Sequence, residues 1–211
     1  MKYLQTFEKF TKVAFHGYKM DASDMQLKDC EIGWSPGGTS GCPEFSDDLK
    51  ISKGDEELAR QYLDQPIETL IAYSRGAAIL LQSLSNGADL PQRVILVAPA
   101  WKRRWSTIQL TGSEIKGATG YIIHGAADDK VPVKHSVLLS LTSGLPLYIS
   151  PQSNHVNILK YKETTTGLSK IQDRSLLNQL LKALPDWGTG DSTPEQVLSQ
   201  HTIIKDILLS K

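Results

Sequence analysis

Short runs of branched and aromatic apolar residues recur along the chain, and they constrain its fold more than anything else in it. The runs are KVAFH (Lys12–His16), EIGW (Glu31–Trp34), TLIAY (Thr69–Tyr73), RVILVA (Arg93–Ala98), GYIIH (Gly120–His124) and LPLYIS (Leu145–Ser150). Most are apolar at consecutive positions rather than at alternate ones. A strand with that pattern has both faces buried, which suits a parallel sheet covered on both sides.

Longer segments with helical spacing lie between the runs. Asp55–Gln65 has acids in its first turn and leucines one face apart. Arg75–Gly87 starts directly after Ser74 and ends on a glycine; Val131–Gly144 has Pro132 near its start and a glycine at its end. Proline early and glycine late is the expected helix asymmetry. Two amphipathic segments, Ser169–Leu184 and Thr193–Leu209, close the chain. Strands alternating with helices predict an α/β fold: a mostly parallel, twisted sheet of about six strands, helices on both faces and right-handed crossovers. A length of 211 residues suits one domain, residues 1–211, with a sizeable core.

The totals exclude several functions. Lysine and arginine number 23, as do aspartate and glutamate, so no net field favours nucleic acid. No apolar run approaches the roughly 18 residues that read as a membrane span. The start, MKYLQTFEKF, is too polar for the core of a signal peptide, so a cytoplasmic protein is expected. Cys30 and Cys42 make neither a disulfide framework nor a zinc pattern. The glycine-rich stretch Gly33–Pro43 is not followed by Gly-Lys-Ser/Thr, and HGYKMD after the first run is no phosphate loop. Gly33–Pro43 reads as a flexible loop, the lesser reading being that it lines a site, and a nucleotide-binding domain is not expected.

Ser74 stands where a predicted strand meets a predicted helix, in Ala72-Tyr73-Ser74-Arg75-Gly76. Such a serine is either the residue that opens the helix or a nucleophile on a sharp turn flanked by small residues. A serine hydroxyl becomes a nucleophile only if an imidazole takes its proton and a third group orients that imidazole. An acid and a histidine do follow at later strand ends. After GYIIH the chain reads His124-Gly125-Ala126-Ala127-Asp128-Asp129-Lys130-Val131-Pro132, and after LPLYIS it reads PQSNHVN with His155. An early strand is followed by His16-Gly17-Tyr18.

Four motifs in this order resemble the α/β-hydrolase superfamily, over about Lys12 to His155. The turn around Ser74 resembles its Gly-x-Ser-x-Gly elbow, with Ala72 in place of the first glycine. The segment from His124 resembles the acid loop HGxxDxxVP. That resemblance implies Ser74 as nucleophile, Asp128 as acid with Asp129 its rival, and His155 as base. It also implies an oxyanion hole from the backbone N–H of Arg75 and that of Gly17 or Tyr18. The family's first two strands have no counterpart here, and Trp101–Ala118 is too short for a cap domain, so a small, lidless member is implied. The activity implied is cleavage of a small-molecule carboxylic ester or thioester, or an amide on the same machinery, with no metal or organic cofactor. The alternative is a non-catalytic binding protein on the same fold. Trp101, Arg103 and Trp105 follow RVILVA at the end of the sheet where sites gather. Trp101 and Arg103 are candidate substrate contacts; the other reading is a loop packed on the body. The Arg75 side chain is expected to pair with a surface acid, the other reading being contact with an anionic substrate, and His135 to lie on a helix surface.

Overall fold

The computed structural model describes residues 12–21, 24–25, 40–102, 104–161, 164–187 and 192–209. Its strands are β1 (Lys12–Phe15), β2 (Ser40–Gly41), β3 (Thr69–Tyr73), β4 (Arg93–Val97), β5 (Thr119–Gly125), β6 (Leu147–Ser150) and β7 (Ser169–Ile171). Its helices are α1 (Lys53–Leu63), α2 (Gly76–Ser85), α3 (Val133–Ser143), α4 (Arg174–Ala183) and α5 (Pro194–Leu209). The strands form one sheet in the order β2-β1-β3-β4-β5-β6-β7, parallel throughout except for β7, which runs against β6.

Consecutive apolar residues in β1, β3, β4 and β5 serve two cores. Val13, Phe15, Leu70, Ala72, Val94, Leu96 and Ile122 face one cluster with the helices. Ala14, Ile71, Tyr73, Ile95, Val97, Tyr121 and Ile123 face the other, where Met25, Ile158 and Leu159 cover the sheet. The two-residue period of a strand separates the sets, which is why the runs read as unbroken rather than alternating.

The chain steps outward from β1 to β2, then returns to β3 on the other side of β1. The connections therefore diverge at the carboxyl ends of β1 and β3. Open α/β sheets bind ligands at such a switch point. His16-Gly17-Tyr18 leaves β1 there, and Ser74 leaves β3 there.

Two edge strands depart from expectation. β2 lies inside the stretch read as a glycine-rich loop, where Ser40 and Gly41 pair with Lys12 and Val13. Residues 33–39 of that stretch, the expected strand Glu31–Trp34 and Cys30 lie outside the described residues. β7 occupies the start of the segment read as helical from Ser169. Ile171 is buried and pairs with Leu147, and Asp173 then caps α4 through the Ser175 N–H. Pairing to a free sheet edge overrides local helical spacing there. At α1 the helix starts two residues early, because Ser52 and Asp55 form a reciprocal capping box.

Candidate active site

Ser74 has φ of 50°, a left-handed backbone seldom adopted by residues other than glycine. Its N–H donates to Val97 O, and its carbonyl accepts from Ala77 N and Ala100 N. β4 and α2 thus hold a turn that costs on the order of 1–3 kcal/mol to maintain. The turn needs room on both sides. A Cβ at Gly76 would lie 2.2 Å from the Phe15 carbonyl oxygen, so α2 can start this close to β1 only with glycine there. Ala72 is fully buried in the core, where the methyl group fits.

The structure brings Ser74, His155 and Asp128 into one line. Ser74 Oγ is 3.0 Å from His155 Nε2, and His155 Nδ1 is 2.7 Å from Asp128 Oδ2. A carboxylate only accepts, so Nδ1 carries the hydrogen and Nε2 is left to accept the Ser74 hydroxyl. Asp128 is fully buried and its Oδ1 accepts the N–H groups of Lys130 and Val131. Burial pushes its carboxyl up, but the neighbouring imidazoles, His155 foremost, and their hydrogen bonds outweigh burial and hold it below the usual carboxylate range. Asp129, the rival acid, pairs with Lys130 at 3.1 Å on the surface, and its carbonyl accepts from Ser192 Oγ.

The oxyanion-hole candidates lie beside this line. Arg75 caps the N-terminus of α2, where backbone N–H groups lack helical partners. Gly17 passes so close to Tyr73 that a Cβ would sit 3.0 Å from the ring. His16 secures this turn: its Nδ1–H donates to Gly17 O at 2.9 Å and its Nε2 accepts the Phe45 N–H at 3.0 Å. Tyr18 packs its ring on Trp105, with centroids 5.2 Å apart.

Other expectations are corrected. The acid that the Arg75 side chain pairs with is not on the surface: fully buried Arg75 meets buried Asp55 at 2.9 Å. Asp55 also accepts from Ser46 N, Ser46 Oγ and Ser52 N. Burial raises its carboxyl, and these hydrogen bonds together bring it below its ordinary value. His135 is buried rather than exposed, and burial first, then the Lys102 charge, pushes it down to about 3. Trp101 is buried and donates its indole N–H to the His135 carbonyl at 3.2 Å. It also lines a cavity of about 730 Å³ with Lys50, Lys102, Thr107 and Leu138. Arg103 lies outside the described residues.

Three contributors have no strong signal in the sequence. Tyr73, next to the serine, donates its hydroxyl to the His155 carbonyl at 2.9 Å and stacks on the imidazole at 5.1 Å. His124, inside the acid-loop motif, reaches Asp128 Oδ2 at 3.0 Å. Gln200 of α5 is fully buried; its amide donates to Ala126 O and accepts from Val133 N, bracing the acid loop from the far end of the chain. A glutamine on an amphipathic helix gives no hint of that reach.

No protein-family model matches the sequence, and no curated protein matches it significantly. Among solved structures, the chain is similar to the ydeN gene product from B. subtilis, with a TM-score of 0.56 and 16% sequence identity over 70% of this chain and 88% of that one. That protein has an α/β-hydrolase-like fold, and the likeness extends that fold to this chain.

Proposed function

We propose that the protein is a serine hydrolase acting on a small carboxylic ester or thioester. Ser74 Oγ attacks the acyl carbon while His155 Nε2 takes its proton. The charge on the carbonyl oxygen is met by the backbone N–H of Arg75 and of Gly17 or Tyr18. His155 then gives the proton to the leaving alcohol or thiol, and an acyl-serine remains. Water, activated by the same imidazole, attacks that ester and frees Ser74. Asp128 holds the Nδ1–H tautomer and balances the imidazolium.

The observation that carries this reading is the unbroken hydrogen-bonded line from Ser74 to Asp128 at the switch point of the sheet, with Ser74 in a strained turn. An ordinary helix-capping serine needs neither an imidazole on its oxygen nor a left-handed backbone. Among the described residues between β4 and β5 the one helical element is the short turn Ser113–Ile115, in keeping with an open site.

A fluorophosphonate probe tests the reading, since it reacts only with a serine that has a working base and oxyanion hole. We expect one adduct, mapped by peptide mass spectrometry to Ser74 and absent from Ser74→Ala. Folded protein that takes up no probe would turn the reading to a non-catalytic binding protein, and the search would pass from products to bound ligands. Turnover of esters, thioesters and amides of short acyl chains then ranks the substrate classes.

A further inference from the structure

Asp128 has more partners than a Ser-His-Asp line requires. Besides two backbone N–H groups on Oδ1, it has two imidazoles on Oδ2: His155 Nδ1 at 2.7 Å and His124 Nε2 at 3.0 Å. His124 is the penultimate residue of β5 and is fully buried. Its Nε2 also lies 3.1 Å from the Val131 carbonyl. Both neighbours of Nε2 are acceptors, so Nε2 carries the hydrogen; it donates to Val131 O, with Asp128 Oδ2 beside it. Its Nδ1 is 2.6 Å from Ser136 Oγ on α3. In the neutral ring that nitrogen accepts, and the serine hydroxyl supplies the proton. The other titratable group facing this cluster from α3 is His135, which is buried and held uncharged. Polar contacts of 3.0 Å or less therefore run Ser136, His124, Asp128, His155, Ser74.

We propose that His124 is a positioning residue that shares the Asp128 carboxylate with His155, and thereby sets the lower pH limit at which His155 can act as a base. The physical reason is competition for one charge. A carboxylate oxygen that already accepts one N–H attracts a second less strongly. An imidazolium at His155 is then stabilised less, and the ring becomes free to accept a proton at lower pH. The Ser136 hydroxyl polarises the His124 ring and strengthens its Nε2–H as a donor. The catalytic consequence rests on the hydrolase reading above; the shared carboxylate does not.

The two are separated by titrating His155 directly. NMR of protein carrying carbon-13-labelled histidine follows its imidazole whether or not turnover occurs. In His124→Phe the His155 midpoint is expected to rise by about one pH unit. His124→Gln, which returns an amide N–H near the position of Nε2, is expected to restore it. Ser136→Ala is expected to give a smaller rise. The acid limb of the rate of Ser74 labelling should move up with the midpoint. A purely structural His124 would lower the melting temperature and leave the titration where it was. An unmoved midpoint in folded His124→Phe overturns the inference even when Ser74 labels normally. If His124→Phe does not fold, an unmoved midpoint in Ser136→Ala overturns it. A raised midpoint in protein whose Ser74 never labels supports the shared carboxylate and rejects the hydrolase.

Discussion

At the residue scale, two adjacent aspartates separate the competing assignments. Asp128 is buried against His155 and Asp129 is on the surface with Lys130. Asp128→Asn removes the acceptor that selects the Nδ1–H tautomer, so ester turnover should fall by about 10³- to 10⁴-fold. Asp129→Asn breaks a surface pair worth under about 1 kcal/mol and should leave turnover within about twofold. Steady-state kinetics on both variants decides; the opposite ranking moves the acid by one position. Tyr73 offers a cleaner deletion. Tyr73→Phe keeps the ring on His155 and removes only the hydroxyl that holds its carbonyl. We expect kcat to drop roughly tenfold through misplacement of the base, with KM little changed. A kcat equal to wild type would show that the loop after β6 holds His155 without it.

At the scale of elements, the buried pair Asp55–Arg75 ties the N-terminus of α1 to the elbow before α2. Asp55→Ala would strand a guanidinium in the core, at a cost of about 3–5 kcal/mol. Replacing both partners, as Asp55→Leu with Arg75→Met, removes the stranded charge. Urea unfolding should therefore show the double variant more stable than Asp55→Ala alone. Equal loss in both would mean that the acid's bonds to Ser46 and Ser52, not the ion pair, hold these elements.

At the scale of the molecule, buried ionisable groups shape stability against pH. His135 is depressed in the folded state to about 3, against an ordinary value of about 6.5. Below pH 6.5 the unfolded chain binds a proton that the folded protein refuses. The stability from keeping His135 neutral is therefore whole above that pH and is lost as pH falls towards 3. The slope from this residue is about 1.4 kcal/mol per pH unit. Asp55 and Asp128 are also depressed, from ordinary carboxylate values, so their contribution is present above about pH 4 and lost below it. Urea melts at fixed pH should show stability falling from pH 6 to 4 and more steeply below. His135→Leu should flatten the first part and, below pH 4, leave the share of the fall that Asp55 and Asp128 contribute. An unchanged slope between pH 6 and 4 would assign the loss to another group.

The sequence by itself determined what depends on neighbours along the chain. Strand runs of apolar residues, the small residues around Ser74, and the acid-loop pattern all encode local backbone and burial. That is why five strands, the order Ser74, Asp128, His155 and the turn after β1 were legible in it. Only the tertiary structure decided what depends on residues far apart. It converted Ser40–Gly41 and Ser169–Ile171 into edge strands, because an unpaired sheet edge was there to receive them. It buried Arg75 on Asp55 and His135 beneath Trp101, and it brought Gln200 back to brace the acid loop. It also put a second imidazole on Asp128. A hydrogen bond needs its two atoms within about 3 Å, and nothing in the spacing of residues along a chain states which distant pairs the packed core will bring that close.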